Sequence, residues 1–272
     1  MSSGGTMQKR QILLTNDDGI RSPGLWAAAE ALSALGYVTV AAPREQSSGT
    51  GRSLPISSDG IIEKEILTIN GQEWPVYAVG GTPAQAVLHG ILEIMPVKPD
   101  LVVSGINYGE NVATGITVSG TVGAAMEAAS HFIPALAVSL ETGKENHLSY
   151  SQDVDFSAAA HFTAQVAARL LEHGLPPGAD LLKLDVPSDA TTATPLVWTR
   201  LSRQRYFHPT KPERSDWSQR GYVGYEVRFD ISGEPHDTDA YIMLGKRQVS
   251  LTPLSLDFTA RVPPEALAKF LS

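Results

Sequence analysis

The sequence predicts an α/β fold in which a mostly parallel sheet carries helices on both faces. Three observations lead there. Residues 1–140 alternate short apolar runs with helical stretches, and parallel strands need the crossover connections that such helices supply. Polar, glycine-containing turns follow several of the apolar runs, as strand ends require. From about Pro195 the pattern changes to aromatic and β-branched fragments broken by Gly and Pro, which predicts hairpins or an extended arm instead of another βαβ unit.

Taken in order, residues 11–15 form a short apolar run that predicts a buried strand ending at Asn16-Asp17-Asp18-Gly19. Ser22 and Pro23 then give an N-cap and a first-turn proline for a helix over 25–35, stopped by Gly36. Residues 37–41 predict a second strand, ended by Pro43, and 44–58 form a long loop rich in Ser and Gly. Asn70-Gly71 joins strands over 61–69 and 74–79 in a hairpin. Gly80-Gly81-Thr82-Pro83 opens a helix reaching about residue 94. Strands follow at 101–104, 135–139 and 181–184, separated by helices over 121–130 and 156–173. A short helix at 267–271 closes the chain. Residues 1–9 are expected to be a flexible leader, with Met7 as a second start, and 10–272 one α/β domain whose part from about 195 is the arm and terminal helix.

The 272 residues are 42% hydrophobic and 18% charged, enough for a sizeable core and unlike a disordered chain. A net charge of −8 disfavours a nucleic-acid polymer as partner. No cysteine is present, which excludes disulfides, thiolate metal sites and cysteine nucleophiles and fits a cytoplasmic setting. The polar first ten residues lack the apolar core of a signal peptide, and no apolar run approaches the roughly 18 residues of a membrane span.

Ligands of open α/β sheets bind beyond the carboxyl ends of the strands. Three polar clusters fall at such ends: Asn16-Asp17-Asp18-Gly19, the loop with Gln46-Ser47-Ser48-Gly49, and Ser104-Gly105-Ile106-Asn107-Tyr108-Gly109-Glu110-Asn111. Paired carboxylates with neutral oxygens from Ser and Asn suit a hard cation such as Mg²⁺ or Mn²⁺, whereas zinc would want the histidines or cysteines these clusters lack. Each cluster alone also reads as ordinary turn chemistry. The two aspartates reach one ion only if the chain bends after the strand, which Gly19 permits. Ser119, Gly120 and Thr121 begin a helix of small residues whose free N–H groups suit a phosphate, or whose small side chains allow close packing. A basic, aromatic stretch with Arg200, Arg203, Arg205, Lys211 and Arg214 reads as a solvated arm or subunit contact in preference to a substrate guide. P-loop, dinucleotide, G-x-S-x-G and H-E-x-x-H motifs are missing from the sequence.

Together these segments resemble the SurE family. The matching stretches are 12–19 with Ser22-Pro23-Gly24, Ala42-Pro43, Ser48-Gly49, 81–83, 99–107 with Gly109 and Asn111, 119–122, 124–127, 134–139, Thr238-Asp239 and 249–254. The resemblance implies a Rossmann-like three-layer core, an arm that pairs between subunits, and a homodimer or homotetramer. It implies hydrolysis of nucleoside monophosphates at the 5′ and in some members the 3′ position, with polyphosphate cleavage in some. It implies one divalent ion per subunit, Mg²⁺ or Mn²⁺, held by Asp17, Asp18, Ser48 and Asn107, the two aspartates also acting in catalysis. Asn16, Gly49, Asn111, Ser119, Gly120 and Thr121 would hold the substrate phosphate. The chain departs from the family's usual pattern at Gln85 (usually acidic), at Lys183 and Asp185 (usually Asn-x-Asn) and at Arg247-Gln248 (usually Gly-aromatic). Two other readings stand beside this one: a phosphatase with an aspartyl-phosphate intermediate, against which the adjacent aspartates argue, and a regulator that binds nucleotide without turnover.

Overall fold

The computed structural model describes residues 9–147, 151 and 153–271, so only Lys9 of the expected leader lies within the described residues. The strands are β1 (Arg10–Thr15), β2 (Gly36–Pro43), β3 (Ile62–Ile69), β4 (Gln72–Val79), β5 (Leu101–Tyr108), β6 (Ala135–Leu140), β7 (Leu181–Val186), β8 (Leu196–Trp198), β9 (Phe207–Thr210), β10 (Gly224–Val227) and β11 (Val249–Leu254). The helices are α1 (Pro23–Ser33), α2 (Pro83–His89), α3 (Gly120–Ser130), α4 (Ser157–His173) and α5 (Pro264–Leu271).

Nine strands form one sheet in the order β3-β4-β2-β1-β5-β6-β7-β11-β8, and β9 and β10 form a separate antiparallel hairpin. Most of the sheet is parallel, with Ile12 opposite both Val38 and Leu101, and Leu136 opposite Leu182. The exceptions are the β3–β4 hairpin and the β7–β11 pair. This is the expected α/β architecture. Period-two alternation sends Ile12, Leu14, Val103 and Val138 to one face, against Leu25 and Trp26 of α1 and Phe162 and Val166 of α4. Leu13, Val102 and Ala137 go to the other, against Val87 of α2 and Val122 and Met126 of α3. Strands buried on both faces read as continuous apolar runs, which is how they were legible. Asn70 (φ 47°) and Gly71 (φ 80°) turn the β3–β4 hairpin through the left-handed region, as a two-residue Asn-Gly loop demands.

Several details differ from expectation. Ser22 stands at the N-cap of α1, but its hydroxyl makes no cap bond; Pro23 presets the first turn without it. Helix α2 ends at His89 and continues as one wider π turn to Ile94. The third core strand runs on to Tyr108: after a register irregularity at Gly105 and Ile106, Asn107 pairs with Ser139. The third polar cluster is therefore largely the end of β5 itself. The region after Pro195 is not only an arm, because β11 returns to the main sheet between β7 and β8, with Val249, Leu251 and Leu254 buried. Gln85 closes a capping box with Thr82, whose N–H it accepts at 3.0 Å, and its amide nitrogen donates to the Pro55 carbonyl at 3.0 Å. Arg247 bonds Glu141 and Asp189. Among the described residues no helix is long and apolar enough to cross a membrane.

Candidate active site

The turn after β1 is fastened by Asn16, whose Nδ2 donates to the Gly19 carbonyl at 3.0 Å while its Oδ1 accepts the Gly19 N–H at 3.1 Å. Gly19, at φ 99°, supplies the bend. Asn16 thus shapes the turn with both ends of its amide. Asp17 and Asp18, 4% and 2% exposed, leave this turn toward different partners.

Asp17 meets the start of α3. Its Oδ1 accepts from the Thr121 hydroxyl at 2.6 Å and its Oδ2 from the Thr121 N–H at 3.2 Å. Ser119 caps the same helix by accepting the Val122 N–H at 3.1 Å. Gly120 is small by necessity, since a Cβ there would lie 2.8 Å from Oδ2 of Asp17. A carboxylate at a helix N-terminus is favoured by the unpaired N–H groups and the helix dipole.

Asp18 joins the other two strand ends. Its Oδ2 accepts the Tyr108 N–H at 3.2 Å, one residue beyond Asn107, and its Oδ1 accepts from the Gln46 amide at 3.3 Å. The same Gln46 nitrogen reaches Ser48 Oγ at 3.2 Å and the His147 carbonyl at 2.7 Å. The loop carrying Ser48 is fixed by the Ser47 N–H on the Asp17 carbonyl (2.7 Å), the Gly51 N–H on the Val118 carbonyl (3.0 Å) and the Arg52–Glu127 ion pair (2.7 Å). Ser48 and Gly49 are exposed on it. Asn107 donates its amide nitrogen to the Gly109 carbonyl at 2.6 Å, which leaves Oδ1 as its accepting end. Asn111 donates its side-chain amide to Ser139 Oγ at 2.7 Å and its main-chain N–H to Asp185 at 2.8 Å.

Burial raises the pKa of Asp17, against which the Thr121 hydrogen bonds act. Burial and then the Asp17 charge push Asp18 well above the usual carboxylate range, while the Tyr108 N–H and Gln46 act in the opposite sense. Two neighbouring buried carboxylates with a serine hydroxyl and an amide oxygen are an all-oxygen donor set, and a divalent cation would offset their charge. These residues fit Mg²⁺ or Mn²⁺. Among the described residues no group of three or more His, Cys, Asp or Glu is placed to hold a metal ion by itself.

The three predicted clusters are therefore linked by hydrogen bonds through Gln46 and Tyr108. Sequence reasoning placed Gln46 in its cluster without giving it a role. It also missed Lys183, Asp185 and Asp239 as a group and the pairing of Arg52 with Glu127. A charged residue inside the apolar run of β7 was the available signal for the first. Away from these clusters, His208 faces the Arg205 carbonyl and His236 stacks on Tyr241. Arg200 of the basic stretch pairs with Asp237.

Residues 12–208 match the family model described as survival protein SurE. A protein of Thermococcus gammatolerans named 5′-nucleotidase SurE is 46% identical over 261 residues, covering 96% of each chain. A protein of the same name from Methanocella arvoryzae is 42% identical, covering 92% of this chain and 93% of its own. The crystal structure of the Sure protein from Aquifex aeolicus superposes with a TM-score of 0.73 at 29% identity, covering 96% of this chain and all of that one.

Proposed function

The chain belongs to the SurE family, and from that premise we propose that it is a divalent-metal-dependent 5′-nucleotidase, hydrolysing nucleoside monophosphates to nucleoside and phosphate. The observation that carries this reading is the buried Asp17–Asp18 pair, set against the start of α3 on one side and the ends of β2 and β5 on the other.

We assign Asp17, Asp18, Ser48 and Asn107 to hold one Mg²⁺ or Mn²⁺ ion per subunit. When bound, such an ion stabilises charge on a phosphate oxygen and makes a bound water more acidic. Asp17 and Asp18 then serve as anionic anchors, one of them also accepting a hydrogen bond from the attacking water. Ser119 and Gly120 orient phosphate oxygens at the N-terminus of α3, with Gly49 and Asn111 around them, while Asn16 and Thr121, whose polar groups are taken up by Gly19 and Asp17, act by shaping the turn and seating Asp17. Water adds to phosphorus as the bond to the nucleoside oxygen breaks. The exposed Leu267, Phe270 and Leu271 of α5 support self-association into a homodimer or homotetramer. The cysteine-free composition accords with a cytoplasmic setting.

The test is phosphate release from a panel of nucleoside monophosphates with Mg²⁺ or Mn²⁺, then with chelator, for the wild type and Asp17→Asn. Release should vanish with chelator and fall by at least about a hundredfold in the variant, with weaker metal binding. Undiminished release in folded Asp17→Asn refutes the assignment, and nucleotide binding without release makes the protein a regulator.

A further inference from the structure

Lys183 is the largest side chain fully enclosed among the described residues, and it bonds two carboxylates, Asp185 and Asp239, that are equally enclosed. All three are 0% exposed. They come from two distant parts of the chain: Lys183 and Asp185 from β7 in the sheet, Asp239 from the segment before β11. Each carboxylate grips the same short stretch of backbone beyond β5. Asp185 Oδ1 accepts the Asn111 N–H at 2.8 Å, and Asp239 Oδ2 accepts the Ala113 N–H at 3.0 Å. Asp239 Oδ1 is itself held by the N–H groups of Ser202 and Ala240, both at 2.8 Å. The gripped backbone is unusual, since Ala113 sits at φ 55°, where a non-glycine residue needs outside support.

We propose that Lys183, Asp185 and Asp239 are positioning residues, a buried charge clamp that sets the place of Asn111 and so makes the C-terminal segment part of substrate binding. The inference rests on the functional reading above, in which Asn111 contacts the phosphate. Lys183 is the tie: its ammonium lets two carboxylates approach in a site closed off from the surface, where either alone would be costly and the pair would repel. Without it, one carboxylate must take up a proton or move away, and the 111–113 backbone moves with it. The ion proposed at Asp17 and Asp18 is held by other residues, so substrate affinity is the quantity at risk.

The decisive variant is Lys183→Met, close in length and without charge. The expected result is a KM for a nucleoside monophosphate raised about tenfold, with kcat and Mn²⁺ affinity held and faster amide hydrogen exchange at Asn111 and Ala113. Lys183→Met/Asp185→Asn, in which the new amide oxygen still accepts from Asn111 and one negative charge is gone, should restore both. A folded Lys183→Met with unchanged KM and exchange overturns the clamp, as does a double variant that recovers neither. If Lys183→Met does not fold, Asp239→Asn takes its place: faster exchange at Ala113 with a raised KM supports the clamp, and no change overturns it. A wild type that releases no phosphate refutes the functional reading, and the exchange data then decide the clamp alone.

Discussion

At the scale of single residues, Glu110 carries a pH dependence. It is buried beside Tyr206, and burial raises its carboxyl from the usual 4.5 to about 7, with the charges of Glu141 and Asp185 adding and the Tyr206 hydrogen bond opposing. A group whose folded pKa exceeds its unfolded value contributes stability that is complete below the unfolded pKa and lost as pH rises through the folded one. Glu110 therefore favours the folded state below about pH 4.5, and that contribution fades as pH rises through about 7. Glu110→Gln keeps an acceptor for Tyr206 and removes the ionisation. The difference in melting temperature between wild type and variant should shift in the variant's favour from pH 6 to pH 8, each unit of displaced pKa being worth ~1.4 kcal/mol. A difference constant across that range contradicts the assignment. What was legible at this scale were polar residues that interrupt apolar runs at strand ends, such as Asp17, Asp18 and Asn107. Partners that act through orientation were not legible: Gln46 looks like any loop amide, and Tyr108 contributes its backbone N–H.

Among the elements, α3 does two tasks, and small residues make both possible. Its first turn receives Asp17, and its next turn lies directly under the loop that carries Ser48. A Cβ at Gly123 would sit 2.3 Å from the Gly51 carbonyl oxygen and 2.6 Å from the Arg52 nitrogen, both backbone atoms that no rotamer change can move. Gly123→Ala should therefore lift the loop, loosen the Arg52–Glu127 pair and carry Ser48 away from Asp18. Helix propensity alone would favour alanine by about 1 kcal/mol, so the sign of the outcome is informative. We expect Mn²⁺ affinity, measured by calorimetry, to fall about tenfold (roughly 1.4 kcal/mol). Equal affinity with a higher melting temperature would show that the loop is not seated on the helix as described. The sequence carried the small-residue pattern of α3 but left it open between phosphate binding and close packing; the structure shows the close packing, with Gly120 against Asp17 and Gly123 against Gly51 and Arg52. The length of β5 was less legible, because Asn107 and Tyr108 follow a glycine and resemble a turn, yet pairing with β6 holds them in the strand.

Over the whole molecule, the chain after Pro195 has two parts with different dependence on the core. Hairpin signals and scattered glycines suggested hairpins or an extended arm throughout, and β9 and β10 do form a hairpin apart from the main sheet. The expectation does not hold for β11, whose alternating Ser and Thr obscured a strand wedged between β7 and β8. Those hydroxyls pair inside the sheet, where Thr199 meets Ser250 at 2.9 Å and Thr252 at 2.8 Å, so polar residues are buried without penalty. Helix α5, by contrast, buries none of its residues within the chain. The two parts should therefore separate on truncation. A chain ending at Asp257 keeps β11 and the bonds from Ser255 and Leu256 to Asp180. It should retain its circular dichroism and melting temperature while light scattering reports a smaller assembly. A chain ending at Pro195 loses β11 and Asp239, which exposes the apolar edge of β7 and strands Lys183 with one partner. That chain should be unfolded or aggregated. If the shorter chain folds as well as the longer one, β11 is an accessory to the sheet; if removing α5 leaves the mass per assembly unchanged, its exposed Leu267, Phe270 and Leu271 take no part in association.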